Sequence, residues 1–465
     1  MTPTAQTPVP PATASPLSEV LASLALCTLL PSLGISIANV ALPTLALAWG
    51  ASFARVQWVV LAYLLATTTL IVGAGRLGDL VGRRRLLMAG ITLFTAASAL
   101  CALAPGLAWL IAARALQGVG AAAMLALTMA FVGEAVPKAR TGSAMGLLGT
   151  MSAVGTALGP SLGGVLIAGL GWRAIFAVSL PLGLVALVLA WRCLPADRPV
   201  ARAVGFDIPG TLWLVLTLAS YALAMTLDLR LLVAAVLGLL LFLRTEARAV
   251  SPLIRLERLR DAALSASLAM NALVSTVMTA TLVVGPFYLA RALGLGAAAV
   301  GALMSVGPIV SACSGVPAGR LVDRFGAGRA ALLGLAAMLV GCLALSLLPT
   351  GCGAAGYVGA LVIVTPGYAL FQAANNTAVM ADVEAGERGV VSGLLNLSRN
   401  LGLVTGASLM AAVFAAAAGA ASITAARPAA VAQGMHLTFA VAVALLLGAC
   451  MLAACHLGAV VGRAR

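Results

Sequence analysis

"GRLGDLVGRRRLL" (residues 75–87) places one aspartate, three glycines and four arginines between two uncharged runs, 56–75 and 86–113. That concentration stands out because only 9% of the 465 residues are charged and 62% are hydrophobic. A soluble globular chain carries about 25% charged residues. A helix needs about 20 apolar residues to cross a bilayer. Uncharged runs of that order recur at 20–54, 56–75, 86–113, 115–133, 141–172, 174–191, 208–227, 262–290, 292–319, 330–381, 400–426 and 428–462. The run 330–381 accommodates two crossings, with "PTGCGAAG" (349–356) as the break. The chain therefore reads as an all-α polytopic membrane protein, and the charged stretch as a loop between two crossings.

The net charge of +14 raises nucleic acid as a partner, but the basic residues sit in short loops between apolar runs, which is how orientation in a membrane is set. With the N-terminus in the cytoplasm, the inner loops hold twenty: residues 76, 83, 84, 85, 138, 140, 192, 198, 202, 244, 248, 255, 258, 260, 320, 324, 329, 388, 463 and 465. The outer loops hold five, at 55, 173, 230, 291 and 427, while Arg114 and Arg399 fall inside apolar runs. Both termini are thus predicted to be cytoplasmic, and no nucleic acid partner is expected. Eight scattered cysteines form no CxxC pair and read as small core residues. "MTPTAQTPVPPATASPLSE" has no basic leading segment and reads as a tail, not a cleaved leader. The predominance of arginine over lysine, with abundant Ala and Gly, points to a bacterial source.

Two bundles and an insertion follow from the spacing. The predicted units are a disordered cytoplasmic tail (1–17), an N-terminal six-helix bundle (18–195), a linker (196–261), a C-terminal six-helix bundle (262–460) and a cytoplasmic tail (461–465). The linker carries an inserted helix pair at about 209–227 and 229–243. Its second helix has thirteen uncharged residues between Arg230 and Arg244, so it spans only if both arginines snorkel. The total is fourteen crossings, or twelve with a re-entrant hairpin. "GRLVDRFGAGRAAL" (319–332) repeats the opening stretch, with Asp323 lying 244 positions after Asp79. "RTGSAMGLL" (140–148) likewise pairs with "RGVVSGLL" (388–395). Two parallel six-helix repeats rocking about a cleft form a transporter architecture.

The charged stretch has a further reading. Gly75, Gly78 and Gly82 let helix ends approach closely. Asp79, Arg83 four residues on, and Glu134 at the end of the fourth helix could tie three helices together on the inner side. In the second copy Asp323 recurs, Ala327 stands where Arg83 maps, and Asp382 stands where Glu134 maps. The alternative is that these charges only set topology. Arg114 lies seven residues into its helix, roughly 10 Å deep at 1.5 Å per residue. A charge at that depth points to function, or else to a structural arginine bonded to carbonyls or to Gln117. Arg399 poses the same question. Gly155, Gly159 and Gly163 recur every fourth residue beside Gly164 and Pro160, a face suited to close packing between the two halves, with a kink.

Several strings together carry a family resemblance. "GRLGDLVGRRR" resembles the loop between helices 2 and 3 of the major facilitator superfamily, and "RALQGVGAA" (114–122) its helix 4 motif. "GTALGPSLGG" (155–164) is similar to the helix 5 segment of its proton-coupled antiporters. "NVALP" (39–43), "QWVVLAYLL" (57–65), "GWRAIF" (171–176) and "FDIPGTLWL" (206–214) resemble the fourteen-helix drug:proton antiporter branch. The resemblance implies export of amphipathic drugs or antibiotics in exchange for protons, hence antibiotic resistance, and a part for Arg114 in proton coupling. Asp79, Arg83, Arg114, Glu134, Asp323 and Asp382 become the coupling and gating candidates, with Gly75, Gly155, Gly159, Pro160, Gly163 and Gly164 as the conformational glycines and kink. One departure is Gly34, standing where that branch often carries an aspartate before "NVALP". None of the thirteen acidic residues falls mid-membrane in these spans, which favours neutral, zwitterionic or anionic substrates. Cavity candidates are Asn39, Gln57, Tyr63, Gln117, Asn271, Tyr288, Gln372, Asn375, Asn376 and Arg399.

Other classes fit less well. No GxxxxGK[ST] loop supports ATP drive. The two histidines, His436 and His456, have no acidic partner nearby in sequence, so neither an enzyme nor a metal site is expected. The expectation is a monomeric, multi-pass transporter of the bacterial inner membrane, with no cofactor and the proton gradient as energy source. An uncoupled facilitator or metabolite exporter on the same fold is the alternative.

Overall fold

A computed structural model describes residues 17–51, 53–197, 207–226, 228–249, 252, 254, 257, 260–381, 383–384, 387–418 and 427–463. The uncharged runs become helices: α1 (Leu17–Trp49), α2 (Phe53–Val81), α3 (Arg83–Ala102), α4 (Leu107–Ala135), α5 (Thr141–Leu170), and the short α6 (Ala174–Ala177) continued by α7 (Ser179–Cys193). The inserted pair is α8 (Ile208–Thr226) and α9 (Leu231–Glu246). The second half holds α10 (Ala262–Phe287), α11 (Ala297–Phe325), α12 (Ala327–Ser346), α13 (Gly353–Ala381), α14 (Arg388–Ala418) and α15 (Pro428–Arg463). Among the described residues, thirteen segments are long and apolar enough to cross a membrane. The α9 helix is the one missing from the expected fourteen. Its 16 residues reach about 24 Å at 1.5 Å per residue, short of the roughly 30 Å hydrocarbon core.

Two corresponding helix breaks fall where glycine supplies a left-handed backbone. Gly82 (φ 106°) separates α2 from α3, and Gly326 (φ 82°), 244 positions on, separates α11 from α12. Within each half, α1 lies on α5, α2 and α3 on α4, α10 on α14, and α12 on α13. Two crossings are close enough to exclude any side chain. A Cβ at Gly120 would lie 2.7 Å from the Gly90 carbonyl oxygen, and one at Gly334 would lie 2.8 Å from that of Gly367. Small residues permit such backbone approach in membrane helices. Apolar clusters fill the rest, around Leu24, Phe94 and Phe131 in the first half and around Tyr288, Phe371 and Phe439 in the second.

The halves meet along two seams, α5 on α11 and α2 on α14. The expectation that the Gly155–Gly159–Gly163 face serves this junction is corrected by the packing. A Cβ at Gly155 would lie 2.6 Å from the Leu29 carbonyl oxygen, and Gly159 abuts Ser36, so this face lies on α1 within the same half. Ser36 donates to the Thr156 carbonyl at 2.6 Å along the same contact. Gly163 is buried, Gly164 faces open space, and Pro160 sits within an α5 that runs unbroken from Thr141 to Leu170. The seam uses earlier turns of α5, where Gly142 and Gly146 meet Gly319 and Gly315 of α11. The α8 helix covers α2 and α14, with Tyr221 bonded to Thr405 and Ser408 to the Met225 carbonyl. Of the cysteines expected in the core, Cys27, Cys101, Cys193 and Cys342 are buried, but Cys313 and Cys352 are exposed. Cys313 borders an outward-facing groove between α11 and α13, and Cys352 lies in the turn that precedes α13.

Candidate functional site

Asp79 ends α2 pointing at the first turn of α14. Its carboxylate accepts the backbone N–H groups of Gly389 (3.1 Å) and Val390 (3.2 Å), and the guanidinium of Arg83 at 3.0 and 2.7 Å. Arg83 also donates to Glu134 at the end of α4, at 2.7 Å. The first four N–H groups of a helix have no partner inside it and carry the positive end of its dipole, so an aspartate there satisfies both. The approach needs glycine, because a Cβ at Gly75 would run into the Gly389 carbonyl. One carboxylate thus joins α2, α3 and α14, and through Arg83 also α4.

The same contact exists on the other seam. Asp323 ends α11 and accepts the N–H groups of Gly142 (2.8 Å) and Ser143 (2.9 Å), which open α5, together with the Ser143 hydroxyl. Gly319 faces the Gly142 carbonyl as Gly75 faces that of Gly389. Asp323 is exposed, and among the described residues no arginine pairs with it. Asp382 lies outside the described residues.

Seven residues that make these contacts were not singled out in the sequence. The helix-opening residues Gly142–Ser143 and Gly389–Val390 lie in "RTGSAMGLL" and "RGVVSGLL", so the repeat itself was the available signal. Asp197, from the linker, caps α3 by accepting the N–H groups of Arg84 (2.8 Å) and Arg85 (3.1 Å). Where α14 packs on α4, beside the α2–α14 seam, Ser392 donates to the Ala126 carbonyl and Asn396 to that of Leu125 at 3.3 Å. Ser392 lies within the same repeat, whereas nothing in the local sequence marks Asn396 or Asp197.

Arg114 forms a second cluster, wholly enclosed at 0% exposure. Its Nε donates to the Val59 carbonyl at 2.9 Å and its Nη1 to Gln117, whose amide donates to Ser98 at 2.6 Å. The guanidinium carbon lies 4.2 Å from the Tyr63 ring centre and 5.9 Å from that of Phe176, while the Tyr63 hydroxyl donates to the Pro31 carbonyl at 3.0 Å. Helices α2, α4 and α6 meet on this side chain, and Tyr63 and Gln117 tie α1 and α3 to the same cluster. Its Nη2 has no partner and no carboxylate pairs with it among the described residues. Two carbonyl-type acceptors and an aromatic face replace the counter-ion, with cation–π contact worth about 0.5–2 kcal/mol. A Cβ at Gly34 would lie 3.8 Å from the Tyr63 hydroxyl, so the position lacking an aspartate borders this cluster.

The cavity candidates are not gathered in one place. Tyr63 and Gln117 belong to the Arg114 cluster. Asn271 is buried and donates to the Leu395 carbonyl at 2.8 Å. Tyr288 is buried 6.0 Å from Tyr357, ring centre to ring centre. Asn39 is exposed and bonds its own helix at Ile35. Gln372, Asn375 and Asn376 fall within five consecutive residues of α13; the Gln372 Oε1 and the Asn375 Nδ2 are enclosed without partners. Arg399 is half-buried on α14, and the Gln57 side chain lies outside the described residues.

Residues 24–407 match the Major Facilitator Superfamily. The chain is 32% identical over 386 residues to the uncharacterized transporter YebQ of Escherichia coli (strain K12), covering 81% of this chain and 84% of that one. It is 30% identical over 384 residues to the riboflavin transporter RibZ of Clostridioides difficile (82% and 84% covered). It is 32% identical over 391 residues to the multidrug resistance protein Stp of Mycobacterium tuberculosis (82% and 72% covered). Among solved structures, the human organic anion transporter MFSD10 superposes with a TM-score of 0.68 at 17% identity, over 94% of this chain and 99% of that one. The proton:xylose symporter XylE superposes with a TM-score of 0.67 at 13% identity (93% and 95% covered), which like the first bears on fold alone. With two helix-opening contacts across its seams and a family match over most of its length, this chain is a multi-pass membrane transporter, not an enzyme, and belongs to the major facilitator superfamily.

Proposed function

We propose that the chain is a secondary active exporter of amphipathic organic compounds in a bacterial cell membrane, exchanging substrate for protons by alternating access, with both termini cytoplasmic. The observation that carries this reading is the pair of carboxylate–helix contacts, Asp79 on α14 and Asp323 on α5. They join residues 18–195 to residues 262–460 at the end of the bundle that carries most of the basic loops. That end is the cytoplasmic one by the distribution of arginines, so the conformation described is closed to the cytoplasm. Opening it requires both carboxylates to leave their helices. The matched crossings of Gly90 with Gly120 and of Gly334 with Gly367 support two parallel six-helix units moving against each other. The names of Stp and RibZ support an organic substrate with apolar surface.

A second reading has its own observation. Arg114 has no acidic partner among the described residues, and Gly34 occupies the neighbouring position where an aspartate would supply one. Without a titrating acid in the membrane, the same fold could equilibrate its substrate as an uncoupled facilitator. Proteoliposomes containing the purified protein and a pH-sensitive dye separate the two. An antiporter acidifies or alkalinises the lumen as each of a panel of neutral, anionic and cationic amphiphiles moves, and Arg114→Ala abolishes that flux. Substrate equilibration with no proton movement assigns the facilitator.

A further inference from the structure

The α11, α12 and α13 helices enclose a lateral groove of about 530 Å³ that the transport reading leaves unused. Its wall is almost entirely apolar, including Ile309, Pro317 and Leu321 of α11, Ala337 of α12, and Val362 and Pro366 of α13. Ile309, Leu321 and Val362 are exposed, so the groove opens outward from the bundle. Leu321 is two residues from Asp323, and Ile309 lies twelve residues earlier, roughly 18 Å at 1.5 Å per residue. One leaflet of hydrocarbon is about 15 Å, half of the core. The groove therefore runs from the end of the bundle that carries the aspartate contacts to its middle.

Two further observations say what fills it. The first comes from the other half. Leu70, Gly73 and Ala74 of α2 lie 244 positions before Ser314, Pro317 and Ala318 of the groove, and there the corresponding face is covered by α8. Gly73 meets Thr211, and Leu70, Ala74 and Trp213 pack with Leu214 in one apolar cluster. No helix among the described residues covers the α11 face in this way. The second is charge at the mouth. Arg320 and Arg324 follow Pro317 by three and seven residues, the spacing that keeps side chains on one helix face. Both are exposed, and neither is in an ion pair among the described residues. Asp323 between them is occupied by the N–H groups of α5.

We propose that this groove binds an anionic phospholipid of the adjacent leaflet, one acyl chain lying along α11 from Leu321 to Ile309 and the phosphate held by Arg320 and Arg324. An apolar surface within the hydrocarbon layer is covered by chain methylenes without loss of any polar contact. Guanidinium groups bind phosphate oxygens through paired N–H donors, and basic clusters at a membrane surface favour anionic lipids. The site rests on the reading of α11–α13 as membrane-spanning and is independent of which solute moves or of proton coupling.

The test uses the purified full-length protein in phosphatidylcholine vesicles containing a trace of phosphatidylglycerol with a photoreactive diazirine on its acyl chain. Crosslinks mapped by mass spectrometry are expected within 309–321 and 362–370. Unlabelled phosphatidylglycerol should compete about tenfold better than phosphatidylcholine, from the preference two arginines confer. Arg320→Gln with Arg324→Gln should bring the two lipids to parity, and Ala337→Phe, which fills the groove and leaves the arginines, should remove the crosslinks. Soluble glycerol phosphate should not compete, because it lacks the chain. Crosslinks spread evenly over the outward faces of α9 and α11 would overturn the proposal. So would parity of the two lipids on the wild-type protein, competition by glycerol phosphate alone, or protection of the groove by a second copy of the chain. The wild-type comparison decides the matter even if a variant fails to fold.

Discussion

Gly75 and Gly389 touch backbone to backbone, and no other residue fits at either position. Gly75→Ala is expected to hold the α2–α14 seam open and lower transport at least about tenfold, whereas Gly164→Ala, in open space, should leave the rate unchanged; uptake into vesicles measures both. Asp79 and Asp323 differ in what surrounds them. Asp79→Asn removes a charge that Arg83 and two N–H groups share, each hydrogen bond to a charged group being worth about 1.5–3 kcal/mol. Asp323→Asn removes a charge at an exposed site without an arginine, so its effect on transport and on Tm should be clearly the smaller. Reversed ranking in a thermal-shift assay would refute this account. At Arg114, Arg114→Lys keeps the charge but cannot reach Val59 and Gln117 together, and a fall in Tm of several degrees is expected. Gly34→Asp has room for its Cβ beside Phe94 and Tyr63. It should fold, and dye-monitored proton flux should rise if a missing acid is what limits coupling.

At the scale of elements, the uncharged runs translated directly into helices because hydrocarbon admits a backbone only when its own hydrogen bonds are closed. The break at 349–356, the separation of α2 from α3, and the helical inserted pair were all legible for that reason. Which face of a helix meets which neighbour was not. A glycine every fourth residue marks a face without a Cβ, and α5 carries two such sets, Gly142–Gly146 and Gly155–Gly159–Gly163. The second set looked like the junction between halves and is the contact with α1. Attachment of α8 rests on Tyr221–Thr405 and on Ser408 reaching the Met225 carbonyl. Interhelical hydrogen bonds in membranes average about 0.6 kcal/mol. Tyr221→Phe should therefore lower Tm only slightly, and Gly238→Leu, whose Cβ would lie 2.6 Å from the Thr217 hydroxyl, should lower it more by prying α9 from α8.

For the whole molecule, closure at one end hides residues that transport must expose. Ser392 is wholly buried where α14 packs on α4, beside the α2–α14 seam that Gly393 forms with Ile71. With exposed Cys313 and Cys352 replaced, Ser392→Cys should resist a water-soluble maleimide in the resting protein and react several-fold faster during turnover or together with Asp79→Asn. Unchanged labelling in both cases would mean that this seam does not open.

The sequence by itself determined the class of molecule, the order of its crossings and the asymmetry of its basic loops, because bilayer hydrocarbon and its charged border impose length and charge on any chain that crosses. It also supplied the internal repeat and the aspartates within it. The tertiary structure decided what those aspartates hold: the opening N–H groups of α14 and α5, whose sequence separation from Asp79 and Asp323 is 310 and 181 residues. It decided as well that Arg114 is enclosed by Val59, Gln117, Tyr63 and Phe176. Backbone donors carry no sequence signature, and aromatic enclosure of a charge depends on how five helices converge, so neither could be read before the packing was known.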